Sequence, residues 1–242
     1  MVNVTINGMK VSVPEGSTIL QAAQQVGIYI PTLCYHPDQS IKANCRVCVC
    51  EVEGQRLLQA ACSAPVYEGM VVRTNTPKVL EARRTILELI LANHPQDCLN
   101  CIRNGACELQ SLAEELIIRD NPFELRVRGY EKDTSTPSLF RDPDKCVLCR
   151  RCIEACSVVQ SVNALGIEGR GNNAMVVPSM GKDLIDSPCV MCGQCIHACP
   201  VGAIGEIESI DKFLAAVADP ETVVVTQIAP AVRVAIAEEI GM

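Results

Sequence analysis

Hydrophobic and polar residues alternate at the start of the chain, which predicts two β-strands. Residues 2–6 and 10–13 each show the two-residue period of a half-buried strand. They are joined across Asn7 and Gly8, a dipeptide that favours the tight turn of a hairpin. The pattern therefore predicts a β-hairpin that opens a small β-rich first domain.

Apolar residues recur at helical spacing in three later segments. Residues 18–26 have this spacing after Ser17, a candidate N-cap, and residues 77–93 have it until Pro95. Residues 109–118 are predicted to form a third helix. We therefore expect strands and helices to be mixed along the first half of the chain.

Closer to the carboxyl end, the pattern predicts a second hairpin and an unfinished α/β unit. Residues 163–167 and 174–177 flank a glycine-rich turn, as in a hairpin insertion. Residues 210–217 have the pattern of a helix, 223–228 that of an apolar strand, and 231–240 that of an amphipathic helix. Because that strand has no partner in the sequence, this segment either docks on another subunit or begins a domain of a longer protein, and we favour the longer protein.

Composition narrows the function classes. A net charge of −7 gives no clustered basic charge for nucleic acid. The most apolar helical stretch, residues 86–92, is far shorter than the roughly 20 residues of a membrane span. The amino terminus has no signal-peptide pattern, so we expect a cytoplasmic protein with reduced thiols. Sixteen cysteines, with no Trp, four Tyr and three Phe, then favour metal centres that also serve as cores.

Eight of the cysteines form two runs with the same spacing, C-x2-C-x2-C-x3-C. The runs are Cys146, Cys149, Cys152 and Cys156, and Cys189, Cys192, Cys195 and Cys199. Bacterial ferredoxins hold two [4Fe–4S] clusters with this spacing, and the fourth cysteine of each run ligates the other cluster. We therefore predict a two-cluster domain that transfers single electrons. The neighbouring Arg150 and Arg151 could offset the negative charge of the clusters or contact an acidic partner, but we expect them to be solvated charges.

Another group of cysteines lies in the first domain, at Cys34, Cys45, Cys48 and Cys62. Four thiolates with one C-x2-C step, placed after a hairpin and a helix, are similar to a plant-type [2Fe–2S] ferredoxin. The first interval holds ten residues instead of the four of that type, and zinc is the alternative for any set of four cysteines. Cys50 is left over, and we interpret it as a buried small hydrophobic residue.

The last group combines a histidine with three cysteines, at His94, Cys98, Cys101 and Cys107. Imidazole is an accepted iron ligand and would complete a [4Fe–4S] site that otherwise lacks one ligand. A three-cysteine zinc site without His94 is the alternative. Asn104 and Gly105 supply the turn that brings Cys107 back to the metal. We therefore predict a small domain built around this site.

In their order along the chain, these groups resemble the amino-terminal electron-relay region of a multimeric, NAD(P)-linked [FeFe]-hydrogenase catalytic subunit. Residues 227–235, QIAPAVRVA, and 238–241, EEIG, are similar to the opening of the hydrogenase catalytic domain. The first two domains are similar also to the large iron–sulfur subunit of respiratory complex I and to NAD-dependent formate dehydrogenases. Those two classes are therefore the alternatives.

The resemblance implies an α+β multidomain chain. Its parts are a β-grasp [2Fe–2S] ferredoxin-like domain at 1–78, a small helical domain with one His and three Cys ligands at 79–118, a linker at 119–138, a two-[4Fe–4S] bacterial ferredoxin-like domain at 139–209, and the start of an α/β hydrogenase-like catalytic domain at 210–242. No catalytic residue is expected within these segments.

The resemblance also implies how the ligands are shared and which partners bind. One [4Fe–4S] cluster would be held by Cys146, Cys149, Cys152 and Cys199, and the next by Cys189, Cys192, Cys195 and Cys156. One [2Fe–2S] and three [4Fe–4S] clusters would carry electrons between a partner subunit with FMN and NAD(P), ferredoxin and a hydrogen-activating site. A small [2Fe–2S] subunit is expected as a further partner. Coupling to ferredoxin by electron bifurcation is possible in this family.

Overall fold

The computed structural model describes residues 1–241. Met242, the last residue of the predicted 210–242 segment, lies outside them. The chain divides into two compact units, Met1–Glu206 and a second unit that begins at Ile207.

The first unit opens with a mixed five-stranded sheet. Its elements are β1 (Val2–Ile6), β2 (Met9–Val13), α1 (Ile19–Gln25), β3 (Val49–Val52), β4 (Gln59–Ala60) and β5 (Val71–Arg73), and the strand order is β2-β1-β5-β3-β4. The predicted hairpin is confirmed, because β1 and β2 pair antiparallel across Asn7 and Gly8. Both turn residues have positive φ, 47° and 86°, as a tight hairpin turn requires.

Thr18, and not the predicted Ser17, is the N-cap of α1. The Thr18 hydroxyl accepts a hydrogen bond from the Gln21 amide at 3.3 Å, and the Gln21 side chain accepts one from the Thr18 amide at 2.8 Å. This reciprocal pair is a capping box, which needs Gln or Glu three residues after the cap. Ser17 has Leu20 at that position, so it cannot form the same pair.

Two helices follow the sheet and share a core with more distant segments. They are α2 (Pro77–Leu91), capped by Thr76, and α3 (Glu108–Glu115). Both were predicted, with α3 ending three residues earlier than expected. One apolar cluster joins Leu33, Val47, Leu87, Leu109, Leu112, Val201 and Ala203. Side chains from all three predicted cluster domains therefore pack into one core.

The rest of the first unit is built on short elements. These are β6 (Leu139–Arg141), α4 (Arg151–Glu154), β7 (Leu165–Glu168), β8 (Met175–Pro178), α5 (Gln194–Ala198) and β9 (Ile204–Glu206). Strands β6 and β9 pair antiparallel, which brings together the two ends of the segment between them. The predicted second hairpin is confirmed, because β7 pairs antiparallel with β8.

The second unit contains α6 (Ile210–Ala218) and α7 (Pro230–Glu239), close to the two predicted helices. The predicted strand over 223–228 is wrong, because these residues have no regular secondary structure. A strand is stable only when another strand satisfies its amide and carbonyl groups, and no described residue pairs with this segment. Among the residues that the structure describes, no helix combines the length and apolar character needed to cross a bilayer.

Candidate metal centres

The four cysteines of the first domain, here called the first site, lie as two hydrogen-bonded pairs. The Cys45 thiol donates to Cys34 and lowers the pKa of Cys34 to about 5, although burial opposes the shift. The Cys62 thiol donates to Cys48 in the same way and lowers the pKa of Cys48 to about 7. In each pair the hydrogen bond stabilises a thiolate, which is the form that binds metal. The structure therefore brings together all four predicted ligands.

Arg83 ties helix α2 to the first site. Its guanidinium is buried and donates two hydrogen bonds to the Val49 carbonyl, from Nε at 3.1 Å and from Nη2 at 2.8 Å. Val49 directly follows Cys48, so a side chain of helix α2 helps to fix the position of that cysteine.

Cys50 behaves as the sequence interpretation proposed. Its side chain is 0% exposed and belongs to the apolar core around β1 and α1. Burial raises the pKa of this thiol to about 12, and the thiol donates to the Gln59 carbonyl at 3.4 Å. Cys50 therefore packs as a small apolar side chain outside the four ligand sets.

The second site is a cavity lined by the predicted histidine and its three cysteines, together with Lys145. These ligand candidates are His94, Cys98, Cys101 and Cys107. His94 is 8% exposed, and its Nδ1 has no hydrogen-bond partner among the described residues. Burial, followed by the charge of Lys145, lowers the pKa of His94 to about 4. The imidazole is therefore neutral at pH 7 with a buried free nitrogen, as a metal ligand requires.

The third site mixes the two cysteine runs. One cavity is lined by Cys146, Cys149, Cys152 and Cys199, the combination that the ferredoxin resemblance implies. Burial raises the pKa of Cys149 to about 12 and that of Cys152 well above its ordinary value. These sulfur atoms lie in an apolar environment, where a bound metal is needed to hold them as thiolates.

The fourth site is formed by the remaining cysteines of the two runs. A separate cavity is lined by Cys156, Cys189, Cys192 and Cys195. The Cys156 sulfur accepts a hydrogen bond from the Ala164 amide at 3.2 Å, and the Cys189 sulfur accepts one from the Met191 amide at 3.4 Å. Such bonds to sulfur stabilise negative charge and tune a metal site. Within residues 1–241, no three His, Cys, Asp or Glu side chains are grouped so as to hold a single metal ion.

The two runs adopt the same backbone conformation at corresponding positions. Leu148 and Arg150 have φ of 55° and 65° in the first run, and Met191 and Gly193 have φ of 54° and 76° in the second. Positive φ is rare outside glycine, so its occurrence at matching positions reflects a shared requirement of the loop. Each loop curls so that its three spaced cysteines face one cavity.

The second and third sites are in direct contact. A Cβ added to Gly202 would lie 2.5 Å from the Cys101 sulfur, so only glycine fits there. The Arg103 guanidinium donates to the Ile196 carbonyl at 2.8 Å and to the Cys199 carbonyl at 3.3 Å. The carbonyl of Pro200, beside Cys199, accepts from the Glu108 amide at 2.9 Å.

Sequence patterns missed one residue that links these sites. Arg150 is exposed, as expected, whereas Arg151 is only 5% exposed. Its guanidinium forms two hydrogen bonds with the Glu108 carboxylate, at 2.6 and 2.9 Å. Glu108 directly follows Cys107, but no local pattern connects two positions 43 residues apart.

Three family descriptions match the chain in the order of its sites. Residues 1–77 match a 2Fe-2S iron-sulfur cluster binding domain, residues 83–122 match the NADH-ubiquinone oxidoreductase-G iron-sulfur binding region, and residues 145–203 match a 4Fe-4S dicluster domain. The donor sets fit these groups, because cysteine thiolates with an occasional histidine are their usual ligands.

Curated relatives and a solved structure extend the match. The NADP-reducing hydrogenase subunit HndD of Solidesulfovibrio fructosivorans is 48% identical over 248 residues, covering 100% of this chain and 42% of that subunit. The NADH-ubiquinone oxidoreductase 75 kDa subunit of Reclinomonas americana is 42% identical over 176 residues, covering 73% of this chain and 26% of that subunit. A chain in the crystal structure of an NAD+-reducing [NiFe]-hydrogenase in the H2-reduced state superposes with a TM-score of 0.80 at 32% identity, covering 85% of this chain and 87% of that chain.

The fold and the cysteine-rich sites define an iron–sulfur protein that serves as an oxidoreductase component. The chain belongs to the family of iron–sulfur subunits shared by NAD(P)-linked hydrogenases and respiratory complex I. It spans less than half the length of the curated relatives that it matches.

Proposed function

We propose that this chain is the electron-relay part of an NAD(P)-linked [FeFe]-hydrogenase. It would carry electrons between a partner subunit with FMN and NAD(P), ferredoxin and a hydrogen-activating site that lies outside these residues. The match to HndD supports this proposal most strongly, because it covers 100% of the chain, including the tail, whereas the complex I relative matches 73%. A small [2Fe–2S] subunit, a cytoplasmic location and electron bifurcation belong to the same proposal.

The proposed ligands are the sixteen residues of the four sites. The first site would hold a [2Fe–2S] cluster with Cys34, Cys45, Cys48 and Cys62, and each of the other three would hold a [4Fe–4S] cluster. When bound, such clusters accept and release single electrons. The match of residues 1–77 to a 2Fe-2S iron-sulfur cluster binding domain supports a two-iron group at the first site.

The protein would set the potential of each site through charge, burial and hydrogen bonds. His94 supplies a neutral ligand where the third and fourth sites have a thiolate. The second site therefore has one negative charge fewer, which favours its reduced form. The cysteines of the third site are largely buried, so little water reaches them. Electrostatic interactions with nearby charges are therefore stronger there.

Cluster content is tested first on the anaerobically purified chain. About fourteen irons per chain, with matching acid-labile sulfide, are expected from one two-iron and three four-iron sites. Electron paramagnetic resonance (EPR) of the reduced protein should then resolve four signals. A colourless protein that contains zinc would overturn the relay proposal.

Hydrogen chemistry is tested on the native complex that contains this chain. Hydrogen-dependent reduction of NAD or NADP, together with a denatured polypeptide mass more than twice 26.1 kDa, is expected for the hydrogenase. A complex that oxidises NADH but does not consume hydrogen would replace this proposal with the second candidate.

The second candidate is the iron–sulfur subunit of a complex I-like NADH dehydrogenase or of an NAD-dependent formate dehydrogenase. The 42% identity to the 75 kDa subunit favours its complex I form. It uses the same relay with a different terminal reaction, so cluster content alone does not distinguish the two candidates.

A further inference from the structure

Arg151 is a buried cation that the ligand sets alone do not explain. Its side chain is 7% exposed and forms a two-point ion pair with Glu108. Its Nε is buried and has no hydrogen-bond partner among the described residues. Because an arginine remains charged in a protein interior, this position adds a fixed positive charge to its surroundings.

Three of the proposed sites meet at this residue. In the third site, Arg151 directly precedes Cys152, and its amide donates a hydrogen bond to the Cys149 sulfur. In the second site, its partner Glu108 directly follows Cys107. Toward the first site, the Arg151 carbonyl accepts from Gln39 Nε2 at 3.1 Å, and Gln39 lies in the loop between Cys34 and Cys45.

The guanidinium itself lies beside Glu108, whereas only the backbone of Arg151 contacts the loop of the first site. Glu108 is 45% exposed, so solvent screens its compensating negative charge more than it screens Arg151.

We propose that Arg151 sets the reduction potentials of the second and third sites together, with Glu108 as the opposing charge. This inference rests on the proposed relay function. A positive charge in a water-poor environment stabilises the electron that each site accepts, and the carboxylate partly cancels that effect. One ion pair therefore acts on both the second and the third site.

The test is an EPR-monitored redox titration of the full chain with its iron in place. Arg151→Gln removes the positive charge, and the midpoint potentials of the second and third sites should become more negative. Glu108→Gln leaves Arg151 uncompensated, and the same potentials should become more positive. Arg151→Lys keeps the charge and should restore most of the shift that Arg151→Gln causes. Arg73→Gln, which removes a side chain that is 58% exposed, serves as the control and should leave all potentials unchanged.

Opposite shifts from Arg151→Gln and Glu108→Gln would support the proposal, because a purely structural role gives no reason for opposite signs. Unchanged potentials, or shifts of the same sign, would overturn it. If Arg151→Gln loses iron, Glu108→Gln alone decides, since that variant retains the whole arginine. Failure of the relay function itself is separate, because it would appear as missing iron or missing signals in the unaltered chain.

Discussion

Lys42 and Glu154 form a half-buried ion pair, with Lys42 Nζ 2.8 Å from Glu154 Oε2. The pair joins the first predicted domain to the two-cluster domain, and the side chains are only 7% and 13% exposed. Ser40 also donates to the Glu154 carboxylate, from its amide at 2.5 Å and from its hydroxyl at 2.7 Å. Lys42 and Ser40 lie among the ten residues between Cys34 and Cys45. The additional residues of that interval thus form a clamp onto helix α4.

Glu154→Gln should loosen this clamp. A charged acceptor with three donors would become a neutral amide, and the cost should be roughly 1.5–3 kcal/mol in the local stability of residues 38–45. Native-state hydrogen exchange of that segment measures the change. Glu51→Gln removes one partner of the more exposed Lys78–Glu51 pair, with atoms 3.9 Å apart, and should cost less than about 1 kcal/mol. Equal costs in the two variants would contradict the clamp.

Gly202→Ala should disrupt the second site. The new methyl group would lie 2.5 Å from the Cys101 sulfur, closer than two such atoms can approach. We expect the variant to lose about four of its irons, with loss of one EPR signal. Gly166→Ala is the matched control, because its added methyl group would meet nothing within 4 Å. A full iron content in Gly202→Ala would show that the interface can adjust.

Local spacing predicted much of the molecule, because both hairpins and the curled cysteine loops depend on residues close in sequence. The grouping of Cys199 with the first run required only the known repeat of the ferredoxin pattern. Long-range relations were not predictable in this way. The burial of Arg151, its pairing with Glu108, and the need for Gly202 arise only when separate segments pack together. The predicted strand at 223–228 failed for the same reason, since apolar character alone cannot supply a partner strand.

Cys50→Ala should retain all the iron of the first site. The Cys50 thiol is buried, neutral and bonded to the Gln59 carbonyl, so its loss removes only a small core contact. A modest fall in stability, about 1–2 kcal/mol, is expected from that change. Cys48→Ala, two residues away, should instead lose the two irons of the site. Iron analysis of both variants makes the comparison, and iron loss in Cys50→Ala would make that cysteine a ligand candidate.

His94→Cys should lower the midpoint potential of the second site. The substitution replaces a neutral ligand with an anionic thiolate, so the reduced form carries one more negative charge. Redox titration of the corresponding EPR signal measures the shift. His36→Cys changes a histidine outside the four sites and should leave this potential unaltered. If His94→Cys keeps four irons at an unchanged potential, His94 is not a ligand.

Removal of iron should unfold the two-cluster region and leave the first hairpin folded. The core around β1 and α1 contains Val4, Ile6, Ile19 and Leu20, all nearly inaccessible to solvent, and it needs no metal to be apolar. That core also includes the ligand candidates Cys48 and Cys62, but as a small part of a large apolar cluster. The core of the two-cluster region is smaller, includes Cys152 and is bordered by cysteines of the third and fourth sites. Metal binding there contributes directly to folding. After anaerobic chelation, hydrogen exchange should rise throughout residues 146–156 and 189–199, while residues 2–25 stay protected. Equal loss of protection in both regions would show that the first core also depends on its metal.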